Sequence, residues 1–144
     1  MGKAPYCFSC DFSVSIPKPT AKQIEVKKEY EVDGRQVILS GRADALVGGG
    51  TIVDWKATFR NIRYDTYATS WQWRCYLDML GYRTFIYHIF LLKKGQEPNE
   101  YLVTDHCDFT MGAYGSMPRD IAEMVKKYAR FLIGLENRGL YEIS

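Results

Sequence analysis

Hydrophobic and polar residues alternate over residues 23–32, a pattern that is typical of a strand with one buried face. Asp33-Gly34 is a strong signal for a hairpin turn, so residues 35–47 are predicted to return as a second strand. Residues 48–50 are all glycine and turn the chain into residues 51–57, which are rich in β-branched and aromatic side chains. The pattern therefore predicts a meander of three strands.

Helical spacing of apolar residues begins after the third predicted strand. From Asp65 to Leu80 apolar side chains recur every three or four residues, and Gly81 follows as a helix terminator. Residues 84–92 are almost continuously apolar, which is typical of a central strand whose two faces are both covered. Residues 100–108 form a further predicted strand, so one helix and two strands follow the meander.

A long amphipathic helix is predicted near the end of the chain. Ser116 and Pro118 are suited to its first turn, and Gly139 is placed to end it. Its apolar stripe is expected to comprise Ile121, Met124, Val125, Tyr128, Leu132 and Leu135. The order of three strands, a helix, two strands and a helix predicts the α/β class, with a mixed β-sheet flanked by helices.

The first 21 residues differ in composition from the rest of the chain. They contain Pro5, Pro17 and Pro19 and no sustained hydrophobic period, so residues 1–21 are expected to form an irregular arm or an edge segment. Residues 22–144 are expected to form a single domain. A length of 144 residues and a hydrophobic fraction of 47% suit one buried core.

Apolar runs and cysteines indicate the cellular compartment in which the protein is expected. No apolar run has the length of a membrane span and no signal-peptide core is present, so a cytoplasmic protein without membrane association is expected. In that compartment the 4 cysteines are expected to be reduced. Cys7 and Cys10 have metal-ligand spacing, but without a second such pair zinc or an iron–sulfur cluster is disfavoured. The formal net charge of +2 neither favours nor excludes nucleic acid as a partner.

Three charged residues on the second and third predicted strands are candidates for chemistry. Asp54 and Lys56 are two residues apart and therefore project from the same face of a strand. Asp44 has the parity opposite to the apolar positions of its own strand, so it is expected to face a cleft. Because the glycine turn makes the two strands neighbours, Asp44 and Asp54 are expected to lie close together if the register permits.

A divalent cation together with Lys56 would balance the charge of such a pair. Two carboxylates about 4 Å apart repel by roughly 1–4 kcal/mol, depending on the surrounding dielectric. Ligation by carboxylate oxygens suits Mg²⁺ or Mn²⁺ better than zinc, and these ions also bind phosphate oxygens while keeping coordinated water. That combination is typical of phosphodiester hydrolysis. The alternative is a surface ion pair on an exposed sheet face, which would contribute little to stability.

The wider sequence context of these residues is more specific than the pair itself. An acidic residue two positions before a lysine is a weak pattern, and Glu25-Val26-Lys27 is another instance of it. Three segments, however, occur in order: Gly41-Arg42-Ala43-Asp44, Ile52-Val53-Asp54-Trp55-Lys56 and Gln72-Trp73-Arg74-Cys75-Tyr76. Together they resemble the PD-(D/E)xK nuclease superfamily, and most closely its RecB-type branch, which includes phage exonucleases.

The resemblance implies a restriction-endonuclease-like core and a role for each matched residue. Asp44 and Asp54 would bind the metal, with the Trp55 carbonyl as a further ligand, and Lys56 would be catalytic. Gln72 and Tyr76, one helical turn apart, would position the substrate, although simple packing of a half-buried tyrosine is the alternative. The implied enzyme is a Mg²⁺- or Mn²⁺-dependent deoxyribonuclease, and specifically an exonuclease of recombination or repair.

The resemblance also implies DNA as the partner. Arg42, Arg60, Arg63 and Arg74 lie within or near the matched segments and are expected to contact DNA phosphates, which would make binding dependent on salt. Association with a second copy or with a partner protein stays open. His88 lies inside the apolar strand and is expected to be a core residue whose ring is satisfied.

The chain departs from the family pattern near its start. Members usually have a helix before the first strand, and this helix contributes a further acidic residue or a histidine. Residues 1–21 do not show a helical pattern. Three alternatives stay open: the chain is a fragment or a minimal version, catalysis is weakened, or the missing ligand is replaced by Glu25, Glu29 or Glu31. A non-catalytic nucleic-acid-binding module on the same fold is therefore the alternative function.

Overall fold

The computed structural model describes residues 7–10 and 21–140. The strands are β1 (Cys7–Cys10), β2 (Ala21–Val32), β3 (Arg35–Val47), β4 (Thr51–Thr58), β5 (Thr84–Lys94) and β6 (Glu100–Gly112). The helices are α1 (Tyr64–Ala68), α2 (Trp71–Leu80) and α3 (Met117–Asn137). The predicted α/β class, with a mixed sheet flanked by helices, is confirmed.

The six strands form one sheet in the order β1-β6-β5-β4-β3-β2. Strands β2, β3 and β4 make the antiparallel meander that the two turn signals predict. Strand β5 pairs parallel to β4 and antiparallel to β6, so the almost continuously apolar segment is a central strand as predicted. The connection from β4 to the parallel β5 runs through α1 and α2, which places these helices against the sheet.

The segment expected to form an irregular arm or an edge segment contains an edge strand. Strand β1 pairs parallel to β6, with Cys7 opposite Glu100 and Cys10 opposite Val103. The remainder of residues 1–20 lies outside the described part of the chain, as do the side chains of Cys7 and Cys10, on which the question of a metal ligand depends.

The single helix predicted over residues 65–80 is wrong, because α1 and α2 are separated by Thr69 and Ser70. The Ser70 side chain accepts a hydrogen bond of 3.1 Å from the Gln72 N–H and so caps the start of a new helix. The Thr69 hydroxyl donates to the Asp65 carbonyl at 2.7 Å, which closes the preceding turn. Hydrophobic spacing continues across the break, so these polar side chains decide where one helix ends and the next begins.

Helix α3 buries Ile121 and Val125 of its predicted stripe and packs Met124 against the core, but it exposes Tyr128. The residues it buries are Met117, Ile121, Val125 and Ala129, whereas the Tyr128 side chain is 65% exposed. Buried positions four residues apart advance by about 40° around a helix of 3.6 residues per turn. The row of buried residues has therefore rotated away from Tyr128 by the time it reaches Ala129.

The main hydrophobic core lies between one face of the sheet and helices α2 and α3. It contains Ile52 and Phe85, which are register partners on β4 and β5, together with Leu77 of α2 and Ile121 of α3. Alternation along β4 sends Asp54 and Lys56 to the same face as Ile52, and Val53 and Trp55 to the other. Among the described residues, no helix combines the length and the apolar character of a membrane span.

Candidate active site on strands β3 and β4

The register of β3 and β4 places Asp44 opposite Asp54. Ala45 pairs with Val53 in the antiparallel ladder, so the next residues along each strand are the two aspartates. The ladder ends there, and the Trp55 N–H donates to Oδ2 of Asp44 at 3.3 Å instead of to a backbone carbonyl. The pairing of β3 with β4 therefore ends where the two aspartates lie opposite each other.

The position of Asp44 depends on a local distortion rather than on simple alternation. Ala43 and Leu46 both belong to the main core although their parities differ, so the alternation of β3 breaks between them. Gln23, which lies opposite Asp44 on β2, has a positive φ of 52°. A cleft of about 430 Å³ adjoins Asp44 and is also lined by Lys22, Gln23 and Trp55. Asp44 is thus accessible from solvent.

Asp54 is a buried acid with an unusual pKa. The residue is only 5% exposed, and burial together with a hydrogen bond to the Asp44 carboxyl raises its pKa to about 6, while Lys56 opposes the shift. The Lys56 ammonium lies 3.1 Å from Oδ2 of Asp54, but outside hydrogen-bonding geometry. This oxygen therefore has an ionic neighbour and no hydrogen-bond donor within the described residues.

Lys56 links the buried acid to solvent. Its side chain is 37% exposed, whereas that of its partner Asp54 is 6% exposed. The Lys56 ammonium therefore lies between the buried Asp54 carboxylate and solvent. An ion pair with one member almost fully buried differs from the exposed surface pair that is the alternative interpretation of these residues.

Gln72 lies on the same face of the sheet as Asp54 and is connected to it through a residue that the sequence did not single out. The Tyr87 hydroxyl donates to Oε1 of Gln72 at 3.4 Å, and Tyr87 is the register partner of Asp54 on β5. Burial raises the pKa of Tyr87 to about 12, so its hydroxyl keeps its proton as a donor. In the sequence, Tyr87 could have been noticed only because its hydroxyl is a polar group within an otherwise apolar strand.

Tyr76 fastens α2 to β3 close to Asp44. Its hydroxyl accepts from the Arg42 N–H at 3.0 Å and donates to the Arg42 carbonyl at 2.9 Å. A Cβ at Gly41 would lie 2.7 Å from that hydroxyl, so the glycine allows the helix to approach the strand. Tyr76 therefore fixes the backbone that leads to Asp44, and its role in positioning the substrate stays a prediction.

We expect Gly41→Ala to lower the free energy of unfolding by about 1–3 kcal/mol, because the new methyl group overlaps the Tyr76 ring. In a Tyr76→Leu background, which removes the overlapping atoms, the same substitution should cost much less. Urea denaturation of the four proteins of this cycle measures the coupling. Gly112→Ala is the matched control, since a Cβ there meets no atom within 4 Å. Equal costs of Gly41→Ala in both backgrounds would contradict the proposed contact.

The four arginines expected at DNA differ in their placement. Arg60 and Arg63 are exposed in the segment that follows β4, beside the exposed ring of Phe59. Arg42 is exposed on β3 and pairs with Glu25 at 3.2 Å. Arg74 donates to the Ala68 carbonyl at 3.2 Å and stacks on Trp71 and Trp73. Because it is about 200° around α2 from Gln72, Arg74 faces away from the aspartate pair.

The three glutamates considered as a substitute ligand all lie on the exposed side of β2. Glu25, Glu29 and Glu31 alternate with Ile24 and Tyr30, which pack against the core beneath the helices. Asp54 also faces the helices, so the glutamates point away from it. In the described ranges 7–10 and 21–140, no helix precedes β2 that would contribute a further ligand.

His88 is buried as expected, but its ring is only half satisfied. Nδ1 bonds to the Asp108 carboxylate, whereas Nε2 has no hydrogen-bond partner in the described part of the chain. His88 is the register partner of Trp55 and therefore lies on the sheet face opposite to Asp54. It belongs to a different cluster from the candidate active site.

Comparison with known proteins defines the fold and not the family. No family model matches this chain, and no curated protein matches its sequence. The solved structure of SSO0001 has a TM-score of 0.58 and 15% sequence identity, over 80% of this chain and 50% of that one. A protein named "Putative exonuclease" from Eubacterium rectale has a TM-score of 0.43 and 16% identity, over 85% of this chain and 47% of that one. The chain thus spans about half the length of the two proteins.

Proposed function

We propose that this chain is a Mg²⁺- or Mn²⁺-dependent nuclease that hydrolyses phosphodiester bonds in DNA, and that it acts as an exonuclease in recombination or repair. One observation carries the proposal. A buried carboxylate, Asp54, is held against a second carboxylate, Asp44, with a lysine 3.1 Å from the buried acid at the mouth of the site. The ordered motifs that resemble the RecB-type branch contain these same three residues.

The donor set fits a hard divalent cation. Asp54 retains a buried oxygen with no hydrogen-bond donor among the described residues, and burial together with the neighbouring Asp44 carboxyl raises its pKa. Carboxylate oxygens are the ligands that Mg²⁺ and Mn²⁺ prefer. Asp44 and Asp54 would hold the ion, with the Trp55 carbonyl between Asp54 and Lys56 as a further ligand. The bound ion would supply Lewis-acid stabilisation of the phosphate and a lower pKa for the attacking water.

The chain's own residues would orient and stabilise the reacting groups. Lys56 presents its ammonium beside Asp54 and can donate a hydrogen bond to the attacking water or to a phosphate oxygen on which charge develops. Tyr87 and Gln72 fix the helix–sheet wall behind Asp54. Tyr76 holds the backbone at Arg42, two residues before Asp44. Preorganisation of this kind keeps the two carboxylates together despite their repulsion.

DNA cleavage by the purified chain tests the proposal directly. Oligonucleotides labelled at an end or internally, supplied as single strands, duplexes and nicked duplexes, should be shortened from an end when Mg²⁺ or Mn²⁺ is added. A preparation of the Lys56→Met variant, purified in the same way, controls for contaminating nuclease. Absence of metal-dependent cleavage on every substrate would overturn the proposal, and internal cuts would overturn the exonuclease assignment.

The alternative function is a non-catalytic DNA-binding module on the same fold. The observation in its favour is that no helix precedes β2 in the described ranges 7–10 and 21–140, so a ligand that related nucleases draw from such a helix has no counterpart there. A binding module would retain DNA in gel-shift experiments and leave it intact with either metal. A nuclease would degrade the same DNA once metal is added.

Removal of Arg60 and Arg63 should reduce the salt dependence of DNA binding. Both side chains are exposed next to the exit of β4, only four and seven residues after Lys56. The slope of log affinity against log salt concentration should become shallower by about 0.7–0.9 for each lost phosphate contact. Fluorescence anisotropy without divalent ions measures this on intact DNA. The matched control is Arg119→Ala with Lys127→Ala, which removes two exposed charges from α3. Equal slopes for the two double variants would exclude a specific contact.

A further inference from the structure

A second cluster of metal-ligating side chains lies on the face of the sheet opposite to Asp54. It consists of His88 on β5 with His106 and Asp108 on β6. His88 pairs with Asp108 across the two strands, and both occupy the same face as Trp55. The sheet itself therefore separates this cluster from the candidate active site.

The two histidine rings approach the same carboxylate oxygen of Asp108. Nδ1 of His88 lies 2.5 Å from Oδ1 of Asp108, and Nε2 of His106 lies 2.8 Å from the same atom. The two imidazole rings are nearly parallel, with centroids 5.9 Å apart and planes 18° apart. One ligand atom from each residue lies within 4.8 Å of the other two. The rings are thus directed at a common point before any ion binds.

Burial differs across the cluster in a way that suits ion binding. The His88 side chain is 3% exposed and that of Asp108 is 44% exposed. The cluster therefore combines a rigid, buried ligand, His88, with a movable ligand at the surface, Asp108. Ligand bonds of about 2.0–2.1 Å in tetrahedral geometry place ligand atoms roughly 3.3 Å apart. An outward shift of the Asp108 carboxylate by less than 1 Å would lengthen its distances to both ring nitrogens to that value, while the buried ring stays in place.

We propose that His88, His106 and Asp108 bind a borderline transition-metal ion, of which Zn²⁺ is the representative. Two imidazole nitrogens and one carboxylate oxygen favour Zn²⁺, Co²⁺ or Ni²⁺ over Mg²⁺, which selects oxygen ligands. Three protein ligands leave a further coordination position for water or another donor. The two metal sites on opposite faces of the sheet therefore select different classes of ion.

Ion binding redistributes protons within the cluster. A neutral His88 that donates from Nδ1 to Asp108 must move this proton to Nε2 before Nδ1 can bind an ion. Nε2 is buried and has no acceptor in the described part of the chain, so the rearrangement weakens binding. We expect an affinity below that of closed structural sites with four protein ligands.

Cobalt binding to the full chain tests the proposal. After chelator treatment and reduction of the thiols, Co²⁺ is added in the presence of excess Mg²⁺, which occupies oxygen sites. We expect one equivalent to bind with the visible absorption of four- or five-coordinate cobalt, to be displaced by Zn²⁺, and to shift the ¹⁵N resonances of both histidines. Asp108→Asn and, separately, His106→Gln should each weaken binding at least tenfold.

Three controls separate this site from others in the chain. Asp65→Asn changes an exposed carboxylate on α1 and should leave cobalt binding unchanged. Asp54→Asn should also leave it unchanged, so failure of the proposed nuclease site does not affect the result. Cys7→Ser with Cys10→Ser tests thiolate ligation. Binding that survives in Asp108→Asn and His106→Gln, or that is lost only in the cysteine variant, would overturn the proposal.

Discussion

Lys56→Met should lower the rate of DNA cleavage by 10²–10³-fold while DNA affinity changes little. Removing one group that stabilises charge in the transition state typically costs about 2.7–4 kcal/mol. Methionine keeps the length of the lysine stem and removes the ammonium that lies 3.1 Å from Asp54. Since Asp44 and Asp54 remain to hold the ion, kcat and kcat/KM should fall together. Single-turnover rates and anisotropy titrations measure the two effects separately.

Lys27→Met is the matched control for this experiment. Lys27 ends the other instance of an acidic residue two positions before a lysine, and it is exposed on β2. Its replacement should leave cleavage within a few-fold of wild type. If Lys56→Met instead weakens DNA binding while the turnover at saturating DNA stays near wild type, Lys56 is a phosphate anchor and its proposed role in the transition state is wrong.

Asp54→Asn should stabilise the metal-free protein at neutral pH and abolish the binding of Mn²⁺. In the fold, burial and the Asp44 carboxyl raise the pKa of Asp54 from 3.8 to about 6. Between these two values the folded state binds more protons than the unfolded state, so the stability of the wild type falls as the pH rises. A shift of about two pKa units corresponds to about 2–3 kcal/mol. Above pH 6 the variant should therefore be more stable by about that amount.

Thermal unfolding from pH 4 to pH 8, with and without Mn²⁺, measures both parts of this prediction. Without metal, the wild type should lose stability through the window between about pH 4 and pH 6, and Asp54→Asn should show a flatter profile. With Mn²⁺ at pH 8, the wild type should gain stability and the variant should not. The exposed carboxylate variant Asp65→Asn should follow the wild type. A variant that keeps the affinity of the wild type for Mn²⁺ would remove Asp54 from the proposed site.

The local pattern of the sequence determines much of the sheet and the pairing of the candidate residues. Period-two alternation and two glycine-containing turns specify the β2–β3–β4 meander, since a turn of fixed length leaves little freedom in strand register. That register sets Asp44 opposite Asp54. Spacing by two residues places Lys56 on the same face as Asp54. The catalytic roles of these three residues stay predictions.

Local capping and long-range packing decided what periodicity could not. The break between α1 and α2 depends on the Ser70 cap, and the exposure of Tyr128 depends on the angle at which α3 crosses the core. The spacing of apolar residues along the chain would be nearly the same without the helix break and with Tyr128 buried, so it predicts neither. The placement of Arg74 on the far side of α2 likewise follows from which helix face packs against the sheet.

The electrostatic state of both clusters is also a property of the tertiary structure. Asp54 has a raised pKa because the surrounding core removes water from it, and no sequence pattern records that burial. His88, His106 and Asp108 lie together because β5 pairs with β6 in one particular register. His88 and Asp108 are 20 residues apart in the sequence. The sequence by itself determines which chemical groups each strand presents. The pairing of distant strands and the exclusion of water decide which groups meet and how strongly they hold their protons.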